Sequence, residues 1–319
     1  MNRRNTLTFL VSVLAAGGLR AQQAFPAKPL RIIVPFPPGG TTDAVSRLVA
    51  QEMAKSMAQP VVIENKAGGG TLIGVDAGAK SAPDGYTLVC VSASFAINHT
   101  LVKKRPYDTF KDFRPVTFMG LSEHVLAVHP SVKARNLREL VALAKTQPLS
   151  FGSFGNGSAP HMAGEQLRAM TGMDLLHVPY KGQGPALNDL LGGQIPMMFG
   201  NWPDMRTHIA SGKLVAIGMA SMERSVFAPA IPTLAEQGVA IESASWNGLV
   251  VPAGTPDAVV DRLNAEVRKA MASQTVKEAL TRAGTVALVS TPEKFGEFIR
   301  ADVAKYAKII ETAKITSDN

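Results

Sequence analysis

From Leu30 onward, short apolar runs alternate with segments whose apolar residues recur at helical spacing, which restricts the chain to helices laid over a mainly parallel sheet. Residues 30–36 and 60–64 read as strands, and between them Ala44, Val45, Leu48, Val49 and Met53 fall on one helical face. Parallel strands need such a crossover, so this is a βαβ unit. A short helix over residues 72–79, a turn at Pro83-Asp84-Gly85 and a strand over 86–91 follow.

The pattern then restarts. After an apolar run at 125–128, Asn136 and Glu139 form a capping box before a helix that runs to Lys145. Strands are expected at 149–154, 175–180, 195–199 and 215–219, with helices running to Met170 and over 185–191. Thr255-Pro256 and Thr291-Pro292 each place a capping hydroxyl before a proline suited to a first helical turn, which predicts two long closing helices. A chain of 319 residues, 46% hydrophobic and 18% charged, can bury two cores. The strand, glycine turn and helix openings at 30–36 and 149–154 predict two α/β domains of similar build. Periodicity alone does not show how the chain passes between them.

The N-terminal residues stand apart. Arg3 and Arg4, an apolar stretch over residues 7–16 and small residues at Ala21 and Ala24 are the three parts of an export signal, so residues 1–24 are expected to be removed. That stretch is shorter than the roughly 20 residues that span a bilayer. Arg3-Arg4 with Leu7 matches a twin-arginine signal poorly, which leaves the export route open. The formal charge of +8 falls to +5 without residues 1–21, with 30 basic against 25 acidic side chains. No basic block is longer than Lys103-Lys104-Arg105, a pattern of solvated surface and not of a nucleic-acid stripe. Cys90 is the single cysteine, so no intramolecular disulfide forms, and its apolar run marks a core thiol.

Two segments carry chemistry: PFPPGGTTD at 35–43 and FGSFGNGSAPH at 151–161, with Ser158 the N-cap in the second. Each joins a strand to a helix. A helix start has unpaired N–H groups and a partial positive charge, and glycines let a ligand approach the backbone, so an anion is stabilised there. Taken singly, each junction equally fits a tight turn without a ligand.

Other chemistries fail on spacing. Gly68, Gly69, Gly70 and Gly74 do not fit GxGxxG, and no Lys-Ser or Lys-Thr follows them as a phosphate loop requires. Around Ser153, Phe151 stands where a serine hydrolase has its first glycine, and His161 has no evident acidic orienter. His161 with Glu165 falls short of a metal site. No catalytic residue, metal or cofactor is therefore assigned. Trp202 and Trp246 fall in loop-like stretches, where they are expected to line a cleft.

Six segments, in order, carry a resemblance: KPLRIIVPFPPGGTTDAVSRLVA (28–50), ENKAGGGTLIG (64–74), PDGYTLV (83–89), RPYDTFKDFRPVT (105–117), HVPYKGQGPALNDLLGGQI (177–195) and VPAGTPDAVVDRLNAEV (251–267). Over essentially the whole mature chain they resemble the extracytoplasmic solute-binding receptors of tripartite tricarboxylate transporters, the Bordetella uptake gene family.

The resemblance implies a two-domain α/β Venus-flytrap fold, type II-like among periplasmic binding proteins. The chain would cross twice, near Glu123 and Trp246, with residues 25–123 and 249–319 in one domain and 124–248 in the other. It implies a periplasmic monomer, not an enzyme, that captures a small carboxylate and delivers it to membrane permease subunits. The alternative is a ligand sensor that docks onto a signalling partner.

Carried onto this sequence, the first binding loop is Phe36, Pro37, Gly39, Gly40, Thr41, Thr42 and Asp43, and Ser92, Ser94 and Phe95 add a wall. The second domain would contribute Ser153, Gly155, Asn156, Gly157, Ser158 and His161, with Tyr180, Lys181 and Gly182. Main-chain amides, small hydroxyls and ordered water would hold the carboxylate. Members often have Asp where this chain has Pro196 and Gly200, so plain di- or tricarboxylates or aromatic acids are favoured over an amino acid.

Overall fold

The computed structural model describes residues 25–282 and 285–316, and the expected export signal lies outside them. β1 (Leu30–Val34), α1 (Thr41–Met57), β2 (Val61–Asn65), α2 (Leu72–Ala79), β3 (Thr87–Ser92) and α3 (Ala93–Leu101) open the chain. β1 lies parallel between β2 and β3. Ile32, Ile33, Val34, Leu88, Val89 and Cys90 are fully buried, because helices cover both faces of this sheet and the strands read as unbroken apolar runs.

β4 (Phe113–Val128) is a single strand of 16 residues, where only 125–128 was expected from the sequence. Its earlier part was hidden because the register slips between Pro115 and Thr117 and again between Phe118 and Gly120, which breaks the period of two. Then come α4 (Leu137–Ala144), β5 (Leu149–Ser153), α5 (Ala159–Thr171), β6 (Leu175–Pro179), α6 (Gln183–Leu191), β7 (Met197–Asn201), α7 (Trp202–Ala210) and β8 (Val215–Met219). β9 (Ala244–Pro252), α8 (Asp257–Ala272), α9 (Gln274–Arg282), β10 (Val286–Ala287) and α10 (Pro292–Thr312) complete it.

The strands follow the order β2-β1-β3-β9-β4-β7-β5-β6, with β8 and β10 also on β4. Up to Glu123, β4 pairs antiparallel with β9, and from His124 to Val128 it pairs with β7 and β8. One strand thus serves two sheets, and two α/β bodies form around them. Sheet pairing returns to the first body where Ser243 gives way to Ala244, so the two crossings run side by side. His124 clips them together: its N–H donates to the Ser243 carbonyl (3.3 Å), and its Nδ1 and Nε2 lie 2.9 and 3.0 Å from the hydroxyls of Ser243 and Ser245. Complete burial pushes the His124 pKa down to about 3, so the clip is neutral.

Each sheet is covered on both faces. In the first body, Val45, Val49 and Met53 of α1 meet Leu263 and Val267 of α8, and Phe95 of α3 meets Phe295 and Ile299 of α10 on the opposite face. Leu140 and Leu167 cover one face of the second sheet, and Leu190 and Met205 the other. Each such side chain contributes roughly 1.5–3 kcal/mol by leaving water. Ala159 and Met162, at the start of α5, pack into the first body's cluster, which places that helix start at the seam.

Three expectations change. Three helices close the chain, because α9 intervenes between α8 and α10. Thr291 caps α10 by accepting from the Lys294 N–H (3.3 Å), but Thr255 donates its hydroxyl to the Pro252 carbonyl (2.8 Å) and Pro256 holds the cap position. Trp202 opens α7, and Trp246 lies within β9, buried, its indole N–H donating to Asp302 (2.9 Å). Trp246 is core, not cleft lining.

Candidate functional site

β1 ends at Val34, a buried Pro35 follows it, and the chain turns through Phe36, Pro37 and Gly39, where φ is +91°, to reach α1 at Thr41. Gly40 is the N-cap, in extended conformation, and it supplies no capping side chain to the free amides of the first turn. A Cβ added to Gly39 or Gly40 would meet nothing within 4 Å, so open space lies in front of this positive helix start.

Asp43 shapes the loop from beneath. Its Oδ2 accepts from the Gly39 N–H (3.0 Å) and Arg47 Nε (2.9 Å), and its Oδ1 accepts from Asn65 Nδ2 (2.8 Å). Asn65 Nδ2 also donates to the Phe36 carbonyl (3.1 Å). Burial alone would raise the Asp43 pKa, but the bonds from Arg47, Gly39 and Asn65 outweigh it and hold the carboxyl below its ordinary value. Thr42 is half-buried.

The second loop joins β5 to α5. Ser158 caps α5, accepting from the His161 N–H (3.4 Å) and donating to the Gly155 carbonyl (2.6 Å). Ser153, fully buried, accepts from the Gly155 N–H (3.1 Å). Gly155 and Gly157 have φ of +121° and +71°, and the Gly157 N–H donates to His161 Nδ1 (3.3 Å). That amide is therefore used inside the loop. The His161 ring is buried and lies parallel to His177, with centroids 3.9 Å apart and planes at 9°. Burial, with His177 and Arg168 nearby, pushes His161 down to about 3, and burial pushes His177 to about 4.

The structure continues this loop into residues 180–182. The Tyr180 N–H donates to the Ser153 carbonyl (3.2 Å), and the Gly182 N–H to the Phe154 carbonyl (3.1 Å). The Tyr180 hydroxyl donates to Asp189 (2.7 Å), burial and that carboxylate push its pKa to about 12, and Lys181 is exposed. Ser92 caps α3 through its backbone only, at the end of β3 beside β1, and Ser94 is buried. Phe95 lies in an aromatic cluster with Tyr107 and Phe113, at 5.9 and 5.4 Å, so it supports this wall from the core side.

Across the seam, exposed Asn156 and buried Gly157 face the first body. A Cβ on Gly70 would lie 3.5 Å from the Asn156 carbonyl, and one on Gly157 would lie 3.1 Å from Asn98 Oδ1. Asn98 Nδ2 donates to the Gly70 carbonyl (2.8 Å), which ties these two elements together. The loops that gather here follow the carboxyl ends of parallel strands in both sheets, the usual place for a ligand in open α/β folds.

Sequence reading did not single out Asn65, Asn98 or His177. Each acts through a partner many residues away, and no local pattern marks it. Among the described residues, no group of three His, Cys, Asp or Glu could hold a metal ion, and no helix is long and apolar enough to cross a membrane.

The chain as a whole has known relatives. Residues 45–315 match the tripartite tricarboxylate transporter family receptor. Protein BugT of Bordetella pertussis is 37% identical over 318 residues, 97% of this chain and 98% of that one. The solved structure of periplasmic binding protein BugD is 31% identical with a TM-score of 0.84, covering 92% of this chain and 99% of its own. Rpa4515 of R. palustris, solved with adipate, is 30% identical with a TM-score of 0.86 over 92% of this chain and 99% of its own. MatC from Rhodopseudomonas palustris, solved with bound malate, is 30% identical with a TM-score of 0.83 over 90% of this chain and all of its own.

Proposed function

The chain belongs to the tripartite tricarboxylate transporter family of receptors, solute-binding proteins with a two-domain periplasmic-binding-protein fold, and from that premise we propose that it captures a small organic dicarboxylate between its two bodies. It then hands the acid to the permease subunits of such a transporter, in the periplasm. The observation that carries this reading is that two structures of the same fold, each 30% identical, hold adipate and malate, both dicarboxylates.

One carboxylate sits at the start of α1, against Gly39, Gly40, Thr41 and Thr42. Ser92, Asn156, Ser158 and residues 180–182 close around the rest. Each hydrogen bond to a charged group contributes roughly 1.5–3 kcal/mol, so two or three amides supply about 3–9 kcal/mol, which is the larger part of the about 8 kcal/mol of micromolar capture only when three strong bonds form. The bodies rotate about the two crossings and shut water out, because the favoured state is the one the ligand touches from both sides. A plain acid suits the site better than an amino acid. The space beside Gly200 is filled by Met205, whose Sδ would lie 2.7 Å from an added Cβ, so no acidic side chain stands at that position to meet an amine.

Native mass spectrometry of freshly purified protein, with calorimetric titration of malate and adipate, tests this. A retained dicarboxylate, or saturable binding of either acid, is expected. If neither acid binds at millimolar concentration while an amino acid or an uncharged solute does, the proposal fails.

A further inference from the structure

The second loop has a support that its own sequence does not reveal. His177, on β6, is held between two rings: Phe151 of β5 at 5.0 Å and His161 of α5 at 3.9 Å. From that stack its Nε2 reaches the Ser153 hydroxyl at 2.6 Å, and Ser153 in turn accepts from the Gly155 N–H and lies 3.3 Å from the Gly155 carbonyl. The second ring of the stack, His161, takes the Gly157 N–H on its Nδ1. Two stacked imidazoles thus hold both glycines of one loop in left-handed conformations.

We propose that His177 is a positioning residue of the carboxylate-binding loop, acting through Ser153 and His161, an inference that rests on the receptor reading above. Proton bookkeeping assigns the direction of each bond. The Gly157 N–H can only donate, so His161 accepts at Nδ1 and carries its proton on Nε2, which is buried without a hydrogen-bond partner. His177 Nδ1 is buried without a partner, and a bare lone pair there costs less than an orphaned N–H, so its proton is also on Nε2 and is donated to Ser153. The Ser153 proton then goes to the Gly155 carbonyl, and its lone pairs take the Gly155 amide and His177. The Gly155 N–H and carbonyl are thereby both engaged before a ligand arrives. The loop is already in its binding shape, and binding has no ordering to supply. Both rings must be neutral for this, which agrees with their burial.

Three variants separate this role from simple packing. His177→Phe keeps the stack and loses the hydrogen bond, His177→Gln restores a donor at about the same reach, and Ser153→Ala removes the relay. With malate and adipate as probes, His177→Phe should weaken binding about tenfold, and His177→Gln should recover most of it. The Phe and Ala changes combined should be no worse than either alone. Equal affinity for His177→Phe and the native protein, or additive losses in the double variant, would overturn the proposal.

A ligand-free arm decides it independently. Spectra of 15N-histidine-labelled protein should show both rings as the Nε2–H tautomer between pH 6 and 8, and amide exchange at Gly155 and Gly157 should quicken in His177→Phe. The opposite tautomer at His177, or unchanged exchange at both glycines, would also overturn it. If neither acid binds the native protein, the receptor reading fails for these ligands while the tautomer and exchange data still decide the positioning role.

Discussion

Gly157 and Gly172 have nearly the same backbone, φ +71° and +69°, but a different outlook. A methyl group on Gly172, at the C-cap of α5, would meet nothing within 4 Å. On Gly157 it would lie 3.1 Å from Asn98 Oδ1 and 3.2 Å from Leu101 Cδ2, both on α3 of the opposite body. Asn98 cannot easily step aside, since it is buried and bonded to the Gly70 carbonyl. Alanine at either site carries the left-handed penalty, about 1–2 kcal/mol. Gly157→Ala adds overpacking of roughly 1–3 kcal/mol, felt only when the two bodies are together.

Gly172→Ala should therefore lower stability by about 1–2 kcal/mol and leave affinity for malate or adipate within about twofold. Gly157→Ala should lose about tenfold or more in affinity as well. Urea denaturation measures the first effect, and calorimetry with small-angle scattering measures the second. Contraction on adding acid should be weaker in Gly157→Ala at equal saturation. Equal affinities in the two variants would show that the seam does not tighten on binding.

Acid should destabilise the protein through its buried histidines. His124 and His161 at about 3 and His177 at about 4 lie below the ordinary 6.5, so the unfolded chain takes up protons first as pH falls. Their contribution is complete above about pH 6.5 and is lost on descent to about pH 4 for His177 and about pH 3 for His124 and His161, by up to about 1.4 kcal/mol per unit and per histidine. A urea midpoint that does not fall between pH 7 and 5 would contradict this. Lys181→Met should weaken malate or adipate binding less than tenfold in calorimetry, because an exposed charge contributes about 1 kcal/mol or less. Asp43→Asn should cost roughly 1–3 kcal/mol in urea denaturation, since one amide oxygen cannot replace a carboxylate that accepts from Gly39, Asn65 and Arg47.

The two glycine junctions were legible because everything that defines them lies within about fifteen residues: an apolar parallel strand, a glycine turn and a helix start. Ser158 could be read as a cap, and the structure shows it capping. What stayed hidden was set at a distance. Asn65 meets Asp43 across 22 residues and His177 meets Ser153 across 24, and no short pattern announces either pair. β4 was hidden for a local reason, two register slips that spoil alternation. β9 was missed because Ser245, Trp246, Asn247 and Gly248 read as a loop, yet Trp246 is buried against Phe118, Phe295 and Phe298, with its indole N–H satisfied by Asp302 of the last helix.

The placement of β9 also orders how the chain can be completed during synthesis. The inner segment is contiguous, and its ends meet where the His124 N–H reaches the Ser243 carbonyl, so it has all its strands once that point has been made. The outer body does not. β9 lies between β3 and β4 and comes from residues beyond the inner segment, so β3 keeps an unpaired edge until those residues arrive. A chain that emerges N-terminus first therefore finishes its inner body before its outer one, and a truncation just before Ala244 would leave the former with every strand and the latter without β9, which joins β3 to β4, and without β10.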